Sequence, residues 1–146
     1  MSRELKFRAW VKASFGNYMD TEVWIDCDGC VWEKATRTYD TPNTEIEPVE
    51  VLALMQFTGL KDKGGKEIFD GDILGGHPHG EAWVEYDSKF ACWACKWYAE
   101  NPDWDGDDAL TQHVTVSDLL CNQLEDCGDA WEVIGNIHEH PDLVTK

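Results

Sequence analysis

From Trp97 to Thr145 the chain carries no lysine or arginine, while the same stretch holds twelve acidic residues from Glu100 through Asp142. Over all 146 residues, 12 basic against 29 acidic side chains leave a net charge of −17. Such a field disfavours direct contact with nucleic acid or an anionic membrane and attracts cationic partners. Long apolar runs are missing too: none approaches the roughly 20 residues that span a bilayer. The start, Met1-Ser-Arg-Glu-Leu-Lys-Phe7, shows no apolar stretch behind a basic one, so the expected location is the cytoplasm. Neither Gly-x-Ser-x-Gly nor Gly-x-x-x-x-Gly-Lys-Ser/Thr occurs, so the hydrolase elbow and the phosphate loop are absent and a non-enzymatic role is expected. No internal repeat or low-complexity tract interrupts the chain.

What is present suits a small β-rich domain. Eight tryptophans supplement a 42% apolar content, and each large aromatic brings about 150–250 Å² of burial. Lys6-Phe-Arg-Ala-Trp10 alternates charged and apolar side chains, as a half-buried strand does. Glu22–Asp26 and Val31-Trp32 flank the turn-like Cys27-Asp-Gly-Cys30 and predict a hairpin. Residues 34–48 are polar, contain two prolines and predict a surface loop. Val49–Leu60 reads as a strand, followed by a wet turn, Lys61-Asp-Lys-Gly-Gly-Lys66, across which Leu60 and Ile68 can pack. Asp72–Leu74, Glu81–Tyr86, Phe90–Tyr98, His113–Ser117 and Trp131–Gly135 are further short strands, Glu100–Asp108 an acidic loop, and Asp118–Asp126 a short helix.

Three segments carry a resemblance: Lys6-Phe-Arg-Ala-Trp10, the long run Gln56-Phe-Thr-Gly-Leu-Lys-Asp-Lys-Gly-Gly-Lys-Glu-Ile-Phe-Asp-Gly-Asp-Ile73, and Glu132-Val-Ile-Gly-Asn-Ile-His-Glu-His-Pro141. In this order and at about these positions they resemble the YopX family of phage and prophage proteins. The likeness implies a phage or prophage origin and self-association. It also implies a mostly β fold, α+β at most. That fold is a single domain with a less regular β-rich N-terminal subdomain over 1–60 and an SH3-like small barrel with an acidic insert over 61–146. It brings no catalytic residue. The motif glycines and apolar residues read as backbone demands of turns and strand starts. Residues 11–48 and 76–130 fall outside the motifs.

Individual function is therefore sought in the Cys pairs and the acidic, Trp-rich insert. Cys27-x-x-Cys30 and Cys92-x-x-Cys95 could together give a zinc ion four thiolates. Against this, 61 residues separate Cys30 from Cys92, and Cys92 and Cys95 fall on opposite faces of a strand. No other cofactor is expected. Asp103-Trp-Asp-Gly-Asp-Asp108 fails the calcium-loop pattern, since its sixth and twelfth positions are Asp108 and Val114 where Gly and Glu are required. His77-Pro-His-Gly80 and His138-Glu-His140 read as surface loop residues. Trp93 and Trp97 share a strand face and read as core. Trp104, ringed by Asp103, Asp105, Asp107 and Asp108, joins an apolar anchor to a negative rim, a combination suited to a basic protein partner. The expected function is a protein-binding module acting on a basic host or phage protein, with nucleic-acid mimicry as its sharper form. A homo-oligomeric assembly protein and a zinc-binding protein are the alternatives.

Overall fold

A computed structural model describes residues 4–13, 16–33, 50–77, 80–100, 113–120 and 131–144. Among them are eleven strands: β1 (Phe7–Lys12), β2 (Tyr18–Asp20), β3 (Val23–Ile25), β4 (Val31–Glu33), β5 (Glu50–Lys61), β6 (Glu67–Phe69), β7 (Asp72–His77), β8 (Gly80–Asp87), β9 (Cys92–Glu100), β10 (His113–Leu119) and β11 (Glu132–Asn136). One turn of 3-10 helix, Pro141–Val144, follows β11. The fold is mostly β, as the short β-prone runs predict. No described helix is long and apolar enough to cross a membrane.

The chain divides into two compact units, Met1–Phe57 and Thr58–Lys146, and the division falls inside β5. In the first unit β1 lies between β2 and β5, all antiparallel. Trp10 faces Ala53 and Val11 faces Val51, so Leu52 is an extra residue that bends β5. Ala9, Val11, Met55 and Phe57 are buried there, while Leu52 and Leu54 remain exposed. The Phe57 N–H donates to the Lys6 carbonyl at 2.8 Å, tying the first motif to the start of the second. β3 and β4 form a separate two-stranded ribbon with Trp24 opposite Trp32.

The second unit is built on an antiparallel sheet in the order β10-β9-β8-β7-β11. One face buries Leu74, Ala82, Val84, Cys95, Trp97 and Val133 together with Ile68, Leu120 and Trp131, and Leu60 and Trp93 pack against this cluster. The alternation that placed Trp93 and Trp97 on a common inner face is thus the one the sheet uses. Expected Leu60–Ile68 packing across the turn is part of the same core.

Several boundaries differ from the sequence reading: β2 and β6 were not expected, Lys61 belongs to β5 and not to the turn, and β7 runs on to His77, which was read as surface loop. Phe90 precedes β9 and sits exposed in a turn. Asp118 and Leu119 extend β10 where a helix was expected, because Asp118 pairs with Cys95 and Leu119 with Ala94. Glu100 ends β9, paired with His113, and is not loop. The expected loops 34–48 and 101–108, and residues 121–126 of the expected helix, lie outside the described residues.

Candidate functional site

Among the described residues five turns use the same local device, an Asp or Asn side chain (Asp20, Asp26, Asp62, Asp87 and Asn136) that accepts backbone N–H groups two to four residues on. Asp62 Oδ1 accepts from Gly64 and Lys66 at 2.9 Å each. Gly65, at φ 81°, donates to the Asp62 carbonyl, and the Asp62 N–H donates to the Lys66 carbonyl. Asp62 Oδ2 also accepts from the Val133 N–H at 3.0 Å, and the Lys63 N–H donates to the Trp131 carbonyl. Burial alone would raise the Asp62 pKa. The N–H donors of Val133, Lys66 and Gly64, with the nearby Lys66 charge, outweigh it and hold the carboxyl below its ordinary range.

Neighbouring motif residues are spent in the same way. Thr58 Oγ1 donates to the Ile68 carbonyl at 2.8 Å, and buried Asp72 accepts from the Phe69 N–H at 2.8 Å. Gly71, at φ 76°, donates to the Val84 carbonyl and accepts from the Ile137 N–H. Asn136 Oδ1 accepts from His138 and Glu139, and its amide donates to the Glu139 carboxylate. A side chain at Gly135 would put its Cβ 2.7 Å from His140 Nδ1, so the glycine makes room for that ring. The polar residues of the second and third motifs thus serve the framework of the second unit.

Outside the motifs, β8, β9 and β10 shape a different surface. On their outer face Trp83 lies opposite Lys96 and packs against Tyr98 with ring centroids 5.0 Å apart. Glu85 accepts from Trp83 Nε1 at 3.3 Å and holds Lys96 Nζ at 3.2 Å. Lys96 is the last base before the stretch that has none, and its charge is already matched by Glu85. The strip ends where Glu100 of β9 pairs with His113 of β10. Residues 101–112 connect these two paired strand ends in sequence. Asp103, Trp104, Asp105, Asp107 and Asp108 lie within that segment, outside the described residues.

At the opposite end of β9, about 27 Å away at a strand's rise per residue, the β8–β9 turn presents an exposed aromatic, Phe90, that sequence reasoning placed in a strand. Asp87 Oδ1 accepts from Lys89 and Phe90, and Ala91 takes a positive φ of 52°. Phe90 is 65% exposed with Lys89 Nζ 5.1 Å from its centroid, and Tyr86 meets Trp93 edge-on at 5.3 Å. The signal was Asp87-Ser-Lys, a turn opening that places the following Phe outside the strand.

The cysteine pairs part company. Cys27 and Cys30 are both exposed on the β3–β4 turn. Cys95 faces the core opposite Val84, whereas Cys92 faces outward opposite Asp87, so these two do not converge on one ion. Among the described residues no three His, Cys, Asp or Glu side chains are grouped to hold a metal. Four thiolates around one zinc, with Cys27, Cys30, Cys92 and Cys95 as ligands, is an arrangement that the β9 register disfavours. His138 and His140 flank the turn after β11, where His138 Nε2 lies 3.7 Å from where a Gly71 Cβ would be.

A β-rich protein whose recurrent motifs are turn and strand-closing framework is the class that these features define. The chain belongs to the YopX family: the family profile described as YopX protein matches residues 6–145. It is also similar to a solved structure, protein EF1440 from Enterococcus faecalis. The two share 25% identity over 99% of this chain and 100% of that one, with a TM-score of 0.58. No curated protein matches it.

Proposed function

We propose that this protein is a non-enzymatic protein-binding module of a phage or prophage, acting in the bacterial cytoplasm on a basic host or phage protein. The acidic residues 101–112 form the working surface, with Trp104 as its apolar anchor. One observation carries the reading: Glu100 pairs with His113, so the acidic segment joins two paired strand ends. Pairing of the two flanking residues meets part of the ordering cost of binding in advance. The neighbouring Lys96 is paired with Glu85. The family motifs support the same reading, since Asp62, Asp72, Thr58 and Asn136 are committed to backbone bonds.

Four acids around the segment's only tryptophan would meet a basic surface of the kind that DNA-handling proteins present, which is the mimicry form of the proposal. The test is affinity capture from host lysate with wild type and Trp104→Ala, at low and high salt. The expected result is a basic DNA-handling protein held by wild type at low salt, released at high salt and lost with the variant. Equal capture by both proteins overturns the role of the insert, and the absence of any basic protein removes mimicry.

A further inference from the structure

The β3–β4 turn carries two exposed thiols on a backbone that is held from four sides. Asp26 Oδ1 accepts from the N–H of Asp28 at 3.0 Å and of Cys30 at 2.9 Å. Gly29 donates to the Asp26 carbonyl at 3.1 Å, and the Asp26 N–H donates to the Cys30 carbonyl at 3.0 Å. Gly29 supplies the positive φ, 82°, that closes such a turn. Backbone pairing brings Asp26 and Cys30 to the roughly 4.5–5.5 Å Cα separation of facing strand residues, and Cys27 is one residue further along. Asp26 takes these amide donors, so the two cysteines are left as free, solvent-facing side chains on a fixed turn. The same Cys-x-x-Cys spacing in β9 yields one outward and one core thiol.

We propose that Cys27 and Cys30 are an oxidation site that closes to an intramolecular disulfide in exchange with a low-molecular-weight disulfide of the glutathione class. One cysteine, as thiolate, attacks a sulfur of the oxidant. The oxidant's S–S bond breaks, a mixed disulfide forms, and one small thiol leaves with a proton. The second cysteine then attacks the chain sulfur of the mixed disulfide. The Sγ–Sγ bond forms, the second small thiol leaves with the other proton, and two electrons have passed to the oxidant. The turn favours the second step because its nucleophile is already held three residues away, at a high effective concentration. Closure braces a ribbon of two three-residue strands, a length that is marginal by itself. Under reducing conditions the pair stays open, and a rise in the disulfide pool shifts it.

The test equilibrates the full-length protein with graded ratios of oxidised to reduced glutathione, followed by alkylation, intact mass and peptide mapping. The expected product is lighter by two hydrogen atoms, carries no glutathione at these positions and maps to a Cys27–Cys30 link. Cys27→Ser and Cys30→Ser should each trap the mixed disulfide on the remaining thiol at least about tenfold longer than wild type. Cys92→Ser should react as wild type does. Hydrogen exchange at the Asp26 amide should slow on oxidation and recover on reduction. A stable glutathione adduct on wild-type Cys27 or Cys30, a link from either to another cysteine, or unchanged thiols at the most oxidising ratio would each overturn the proposal.

Discussion

Two turns, one in each unit, share the same local hydrogen bonds and differ in the side chains they present. Asp26-Cys-Asp-Gly-Cys30 and Asp62-Lys-Gly-Gly-Lys66 each place Asp first and a positive-φ glycine fourth. In both, the carboxylate takes the N–H groups of the third and fifth residues. Asp62 extends its second oxygen to Val133 in β11, 71 residues away, and the same turn sends the Lys63 N–H to the carbonyl of Trp131, just before that strand. A local turn thereby becomes a clasp between distant parts of the chain. Its twin presents two exposed cysteine side chains.

The comparison predicts unequal losses from equal substitutions. Asp62→Ala leaves three N–H donors unmatched, one of them buried, and should cost about 3 kcal/mol of unfolding free energy. Asp26→Ala releases donors in exposed surroundings that water can satisfy, and should cost about 1 kcal/mol or less. Urea unfolding of the two variants measures both. Similar losses would mean that the Val133 bond adds nothing and that the two turns are equivalent.

Acid sharpens the same contrast. The Asp62 carboxyl titrates below its ordinary value of 3.8 in the folded protein, so the folded state favours its charged form. Its contribution is fully present above the unfolded value and is lost as pH falls through the depressed folded one. The stability advantage of wild type over Asp62→Asn should therefore be constant from neutrality down to about pH 5 and shrink below about pH 4. Denaturation midpoints of the pair across that window provide the measurement. An advantage unaffected by acid would show that the carboxylate charge is not what the three N–H groups stabilise.

Much of this framework was legible because it depends on local signals. Gly64-Gly65 marked the turn, alternation placed Trp93 and Trp97 together, and the three-residue spacing separated Cys92 from Cys95. The failures occurred where partners distant in sequence decide. Ser117-Asp118 resembles a helix cap, but pairing of Asp118 with Cys95 keeps the strand going. β6 is three residues long, too short for a period to show, and exists because Thr58 and the β6–β7 turn hold it. Nothing local reveals that Asp62 reaches Val133. The candidate site was legible as composition, a run of acids around Trp104. The pairing of its flanking residues Glu100 and His113 required two strands to meet.

The turn between β8 and β9 offers the smallest test. It too opens on an Asp that caps the following N–H groups, but its positive-φ position is held by Ala91 at 52°, where the other two turns have Gly29 and Gly65. A non-glycine residue in this region carries a steric cost of roughly 1–2 kcal/mol, and glycine's extra freedom in the unfolded chain returns about 0.5–1 kcal/mol. Ala91→Gly should therefore stabilise the protein by about 0.5 kcal/mol, and Gly65→Ala should destabilise it by about 1 kcal/mol. Both shifts would appear in the same denaturation series. The exposed Phe90 beside Ala91 makes the sign informative. A destabilising Ala91→Gly would mean that the alanine backbone is positioned for Phe90 and Lys89 at the tip, and the strain would then belong to that surface and not to the turn.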